Sequence, residues 1–117
     1  MTAPALNLIV LHSPDPERAA RFYAALGVVL TPEQHGTGPE HWAGSAGAVV
    51  LELYPLGDAG PTTATRIGFR VADVDAAVTA VTAVGGIVVS AAKPSPWGRR
   101  AVVSDPDGHR VELTEGA

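Results

Sequence analysis

Apolar positions along the chain fall into two blocks with the same order. Residues 6–11 form a short, partly β-branched apolar run that stops at Ser13-Pro14 and predicts a strand. Asp15-Pro16-Glu17 then offers a helix N-cap, a proline at the first helical position and an acid in the first turn. Ala19, Phe22 and Leu26 recur at helical spacing, and Gly27 is the natural stop. Residues 28–31 predict a second strand and residues 33–39 a polar loop. Residues 40–43 and 48–54 predict a hairpin turning over Gly44-Ser45-Ala46-Gly47.

The order then recurs beyond a Gly-, Pro- and Thr-rich link over residues 55–63. Residues 66–71 predict a strand. Asp73 caps a helix whose apolar face carries Val74, Ala77, Val78, Val81 and Val84, and Gly85-Gly86 ends it. Residues 87–90 predict a strand and residues 93–98 a loop. A last hairpin, residues 99–104 and 109–114, turns over Asp105-Pro106-Asp107-Gly108. The capping aspartates lie 58 residues apart and the Glu-Leu pairs at Glu52 and Glu112 lie 60 apart, so a small insertion separates two copies of one unit. The expected fold class is α+β, a βαβββ module repeated, with module one at about residues 5–55 and module two at about 64–115. Neither half is large enough to hold a core alone, so the two make a single domain. One glutamate from each copy is expected to face the other about a pseudo-twofold axis.

The run Ser13-Pro14-Asp15-Pro16-Glu17-Arg18-Ala19 with Phe22-Tyr23 and Leu26-Gly27 resembles the vicinal oxygen chelate superfamily. The closing run Ser104-Asp105-Pro106-Asp107-Gly108-His109-Arg110-Val111-Glu112-Leu113 resembles it more specifically. Glyoxalases, extradiol dioxygenases, fosfomycin resistance enzymes and bleomycin-binding proteins are members. The resemblance implies that each module curls into a mixed-sheet half-barrel and that two modules form a cleft. It does not fix an activity, because members include lyases, oxygenases, transferases and plain binders. It also implies that members commonly form homodimers.

In metal-dependent members the first and last strands of each module supply the ligands. Carried onto this chain, those positions are Leu8 and Arg66, each seven residues before its capping aspartate, with Glu52 and Glu112. Leucine has no lone pair, and a guanidinium has donors but no acceptor. The expectation is therefore no metal and no cofactor at that place, with Arg66 supplying positive charge to a small-molecule ligand. A structural ion-pair cluster of Arg66, Glu52 and Glu112 is the plain alternative. The competing functional reading is a metal-dependent lyase or dioxygenase. It would use one divalent ion (Fe, Zn, Ni or Mn) on Glu52, Glu112 and a displaced His41.

His41 is expected opposite Val50, on the face of Glu52. His12 reads as a rim residue, His35 as an exposed loop residue and His109 as surface. Tyr54, Trp97 and Arg99 are expected to line the cleft, and Trp42 to pack away from it. Bleomycin-type clefts are acidic, and Arg66 with Arg99 argues against so cationic a ligand.

Composition narrows the classes. The chain has 117 residues, 46% of them hydrophobic and 17% charged, with a net charge of −4 and no cysteine. That balance suits a folded domain and offers no clustered basic surface for nucleic acid. Disulfides and thiolate chemistry are excluded, and a cytoplasmic location is expected. No apolar run is long enough for a membrane span, and no signal peptide is expected at the N-terminus.

Overall fold

The computed structural model describes residues 2–116. In chain order the elements are β1 (Leu8–Ser13), α1 (Pro16–Ala25), β2 (Thr31–Glu33), β3 (His41–Ala46) and β4 (Val49–Pro55), then β5 (Arg66–Val71), α2 (Val74–Thr82), β6 (Ile87–Lys93), β7 (Arg100–Ser104) and β8 (Arg110–Glu115). They form two four-stranded sheets with orders β1-β4-β3-β2 and β5-β8-β7-β6, the same topology twice. In each, the first strand runs parallel to the last, and the remaining neighbours are antiparallel. The parallel pairing is possible because each helix carries the chain across the sheet. Both sheets remain open. Among the described residues, no helix is long and apolar enough to cross a membrane.

The repeated caps form as expected. The Asp15 carboxylate accepts from the Arg18 N–H at 3.2 Å, and that of Asp73 from the Ala76 N–H at 3.0 Å. The chain leaves each helix through a left-handed glycine, Gly27 at φ 94° and Gly85 at φ 97°, where a side chain would be strained.

Alternation sets the core. Along β1, Leu11 and Ser13 point inward and are buried, while Leu8 and Val10 point outward. Along β4, Leu51 and Leu53 are buried, while Glu52 and Tyr54 take the other face. Ala19, Phe22 and Tyr23 of α1 and Val74 and Val81 of α2 cover the inner faces, and the two helices pack on each other. One face of each sheet is left bare.

Several boundaries differ from the expectation. Residues 28–30 are not a strand, because the Val28 N–H bonds back to the Tyr23 carbonyl at 3.0 Å and Val28 and Leu30 pack into the core. The β3–β4 turn falls at Gly47-Ala48, with Gly47 at φ 59°. Trp42 therefore pairs with Leu53, which brings His41 beside Tyr54 and not Val50. The shift is an even number of positions, so every side chain keeps its expected face. β6 continues to Lys93 through two irregularities in its register with β7.

Candidate functional site

The bare face of sheet one carries Leu8, Val10 and Val50, with Glu52, Tyr54, His41 and Glu33 toward one end. Leu8 and Val50 are paired neighbours, and both are exposed. His41 is buried and stacked on Tyr54, with ring centroids 4.1 Å apart and planes within 9°. Its Nδ1 faces the Pro39 carbonyl at 3.1 Å. Its Nε2 lies 2.9 Å from Glu33 Oε1 and 3.7 Å from Glu52 Oε2. Burial pulls the His41 pKa down. The Pro39 carbonyl and the two carboxylates outweigh that and leave it above the ordinary histidine value. Hydrogen bonds from His41 and His35 hold the Glu33 carboxyl below its usual range. Burial and the charges of Glu52 and Glu33 push the Tyr54 hydroxyl up.

The bare face of sheet two is cationic. Glu112 sits opposite Gly68 and Val102, and Arg66, Arg70, Arg100 and Arg110 occupy neighbouring positions of the same face. Arg66 reaches Glu112 Oε1 at 3.1 Å, and Arg100 contacts the same oxygen. Arg66 does not bridge Glu52 and Glu112. The expected three-membered ion cluster is thus only its Glu112 half, and Glu52 keeps company with His41. Arg99 does not line this face. Its guanidinium grips Asp75 of α2 at 2.9 and 3.1 Å, because the last hairpin pairs Val102, not Ala101, with Glu112, and that one-residue shift puts Arg100 on the Glu112 face.

Two cavities adjoin these residues. One of about 330 Å³ is lined by Arg70, Trp97, Arg100, Glu112 and Thr114. Trp97 is 71% exposed and forms an open wall of this cavity. The other, about 630 Å³, is a seam between module one and β5, with Ile9, Leu26, Leu51, Ile67 and Phe69 as its apolar lining and Arg66 and Arg70 beside them. Arg70 lines both.

His109 is not a surface residue; it is buried at 1% exposure. Asp105 Oδ1 accepts the backbone N–H groups of Asp107, Gly108 and His109, each at 3.0 Å. Oδ2 accepts the Tyr23 hydroxyl at 2.7 Å and His109 Nδ1 at 2.8 Å. His109 Nε2 lies 2.7 Å from Thr62 Oγ1. The Thr62 hydroxyl in turn accepts the His12 N–H at 3.0 Å. His12 is accordingly half-buried and tied to the link, its Nδ1 donating to the Gly60 carbonyl at 3.0 Å. Burial would raise the Asp105 pKa, but the His109 and Tyr23 hydrogen bonds prevail and lower it. Burial and the Asp105 charge push the Tyr23 hydroxyl far up. The Thr62–His109–Asp105 order matches a nucleophile, base and orienting acid, yet Thr62 lines neither cavity. Its partners make it a fastening between the link and the last hairpin. The only sequence cue was the Asp-Pro-Asp-Gly-His turn itself; the partners at Tyr23 and Thr62 lie far away along the chain.

A glyoxalase-like domain profile matches residues 8–114. The chain belongs to this family. An uncharacterised relative from Mycolicibacterium smegmatis is 31% identical over 104 residues, covering 89% of this chain and 87% of the relative. Among solved structures, TnmS3, an antibiotic-binding protein from Streptomyces sp. CB03234, superposes with a TM-score of 0.79 at 28% identity, covering 100% of this chain and 99% of that one. A glyoxalase/bleomycin resistance protein from the same organism gives a TM-score of 0.74 at 29% identity, covering 94% and 99%.

In this glyoxalase-like chain the four positions the resemblance assigned to metal ligands do not fit a divalent ion. Leu8 and Arg66 have no donor lone pair, and Glu112 is drawn into two guanidiniums. Of the alternative set, Glu52 and His41 come together, whereas the hydrogen bonds of Glu112 run to Arg66 and Arg100 on the other sheet.

Proposed function

We propose that this chain captures a compact organic ligand bearing an anionic or carbonyl group, with no metal at Leu8, Glu52, Arg66 and Glu112. The observation that carries the reading is Arg70, common to an apolar seam and a cationic pocket. A seam of about 630 Å³ is within the usual range for small-molecule sites, which are mostly apolar with a few placed polar groups. The apolar body of a ligand would lie against Ile67 and Phe69, and its polar group would meet the Arg70 fork, which suits a planar carboxylate. Kinship with an antibiotic-binding protein supports capture over turnover. The reading includes a homodimer working in the cytoplasm. Sheet one presents apolar Leu8, Val10 and Val50 with Glu33 and Glu52, while sheet two presents arginines, so the two bare faces complement each other between copies.

Naphthoate, an aromatic carboxylate, is a suitable probe. It should bind saturably, changing tryptophan fluorescence through Trp97, and Arg70→Ala should weaken it at least about tenfold, as loss of a charged hydrogen bond does. Equal binding of uncharged naphthalene, or tighter binding of an aromatic amine, would overturn the reading.

A further inference from the structure

Glu33, His35 and His41 place three ligand-type atoms within 4.8 Å of one another at the end of sheet one. Glu33 ends β2 and pairs across the ladder with His41, the first residue of β3. His35 follows in the connection between them. That connection is fixed as a tight turn: the Gly38 N–H bonds to the His35 carbonyl at 3.0 Å, and the Gln34 amide to the Gly38 carbonyl at 2.8 Å. His35 Nε2 consequently stands 3.0 Å from Glu33 Oε1, the same oxygen that meets His41 Nε2 at 2.9 Å.

The orientation of His41 is informative. Its Nδ1 faces a carbonyl, so Nδ1 carries the hydrogen. In the neutral ring the lone pair is then on Nε2, facing Glu33 Oε1 with Glu52 Oε2 3.7 Å away. The place between these acceptors takes a proton or a metal ion. A ring nitrogen that donates to a backbone carbonyl while its opposite nitrogen faces carboxylates is the arrangement in which metal-bound histidines are held. We propose that Glu33, His35 and His41, with Glu52 beside them, form a site for a divalent transition ion of the zinc type.

The dimensions suit that ion. Ligand atoms about 2.0–2.1 Å from a tetrahedral ion lie roughly 3.4 Å apart. Glu33 Oε1 lies 2.9 and 3.0 Å from the two imidazole nitrogens and Glu52 Oε2 lies 3.7 Å from that of His41, each within about half an ångström of that spacing, and the three ligand atoms all lie within 4.8 Å of one another. Two imidazoles with carboxylates select zinc, nickel or iron(II) over calcium or magnesium. Burial is graded across the site: His41 is enclosed, Glu33 intermediate and His35 open, with its side chain 73% exposed. The ion enters from the His35 side and is closed in by a residue that needs no core to move. Three strong ligands leave one position for Glu52 or for an oxygen of a bound small molecule. The site does not require the small-molecule reading to hold, and Leu8, Arg66 and Glu112 take no part in it.

The test is calorimetric titration of the chelator-treated, untagged full chain with Zn²⁺ and, separately, Mg²⁺ near neutral pH. One Zn²⁺ per chain at micromolar affinity is expected, with no Mg²⁺ binding. His35→Ala, at an exposed side chain, and Glu33→Gln should each weaken Zn²⁺ at least about tenfold, the size of effect that even an outer-shell partner has. Both variants should keep the parent's thermal midpoint in the absence of metal. Failure of the parent to bind Zn²⁺ would make the cluster a proton-held ion network and overturn the site. Undiminished binding in both variants, or loss in Glu112→Gln instead, would place the ion elsewhere and overturn it equally.

Discussion

The Tyr23 hydroxyl donates to Asp105 Oδ2 at 2.7 Å across 82 residues of sequence. Tyr23 belongs to the first helix of module one and Asp105 to the last hairpin of module two. Both are buried, and the carboxylate also accepts His109 and three backbone N–H groups. A buried charge so fully supplied with donors is costly to disturb, because any group left behind keeps its desolvation penalty without its partner.

Asp105→Asn weakens several hydrogen bonds to a buried carboxylate at once and should destabilise the chain by at least about 1.5–3 kcal/mol, the range for one hydrogen bond to a charged group. Tyr23→Phe removes one charge-assisted hydrogen bond and should cost about 1.5–3 kcal/mol. Urea unfolding of the parent, both variants and the double variant would show the effects to be strongly non-additive. Simple additivity would mean that the two groups do not share one network.

The same carboxylate sets an acid dependence. Its folded-state pKa lies below the ordinary value, so the unfolded chain binds its proton first as pH falls. The stabilisation is fully present above the unfolded value of about 3.9 and is lost as pH drops through the lower folded value. Stability of the parent should fall steeply below pH ~4, and that of Asp105→Asn should change less over the same interval. Parallel curves for the two proteins would remove Asp105 from the account.

What was readable in the sequence was whatever depends on local periodicity. The duplicated caps at Asp15 and Asp73, the alternation in β1 and β4 and the glycine stops are local, and they set the two-module architecture. Pairing across the sheet was less legible. Moving the β3–β4 turn to Gly47-Ala48 put His41 beside Tyr54, yet its face survived because the shift was even. A one-residue shift in the β7–β8 register had the opposite effect, turning Arg99 to Asp75 and bringing Arg100 to Glu112. The burial of His109 has another cause. A histidine beside a tight turn is ordinarily solvated, and only the partners Thr62, distant in sequence, and Asp105 keep it inside.

The two caps are chemically equivalent and should respond alike. Asp15→Ala and Asp73→Ala should each cost about 0.5–2 kcal/mol in denaturant unfolding. Asp15 lies in a segment whose Arg18 also meets Asp107 at 3.0 Å, so its variant is expected at the upper end. A neutral Asp73→Ala would show that α2 does not depend on its cap.

Arg99 and Arg100 separate surface from site. Arg100 contacts Glu112 and lines the smaller cavity, whereas Arg99 holds the exposed Asp75. Arg100→Ala should weaken naphthoate binding at least about threefold, and Arg99→Ala should leave it at the parent value, since exposed pairs contribute little. The reverse order would restore Arg99 to the cleft and shift the β7–β8 register by one residue.

The bare face of sheet one decides the assembly. Leu8 is 47% exposed and Val10 and Val50 are each 37% exposed, three apolar neighbours on a face that the helices do not cover. In an isolated chain, Leu8→Arg changes a solvated position and should move unfolding stability by no more than about 0.5 kcal/mol. In a dimer whose arginine-bearing sheet covers that face, the same change sets a guanidinium against like charges, which is costly. Sedimentation equilibrium should find the parent dimeric at micromolar concentration and Leu8→Arg dissociating at least about tenfold more readily, a difference of about 1.4 kcal/mol. Val50→Arg, on the paired strand, should behave in the same way. A monomeric parent, or a variant as dimeric as the parent, would leave this face open to solvent and remove the second copy from the proposed cleft.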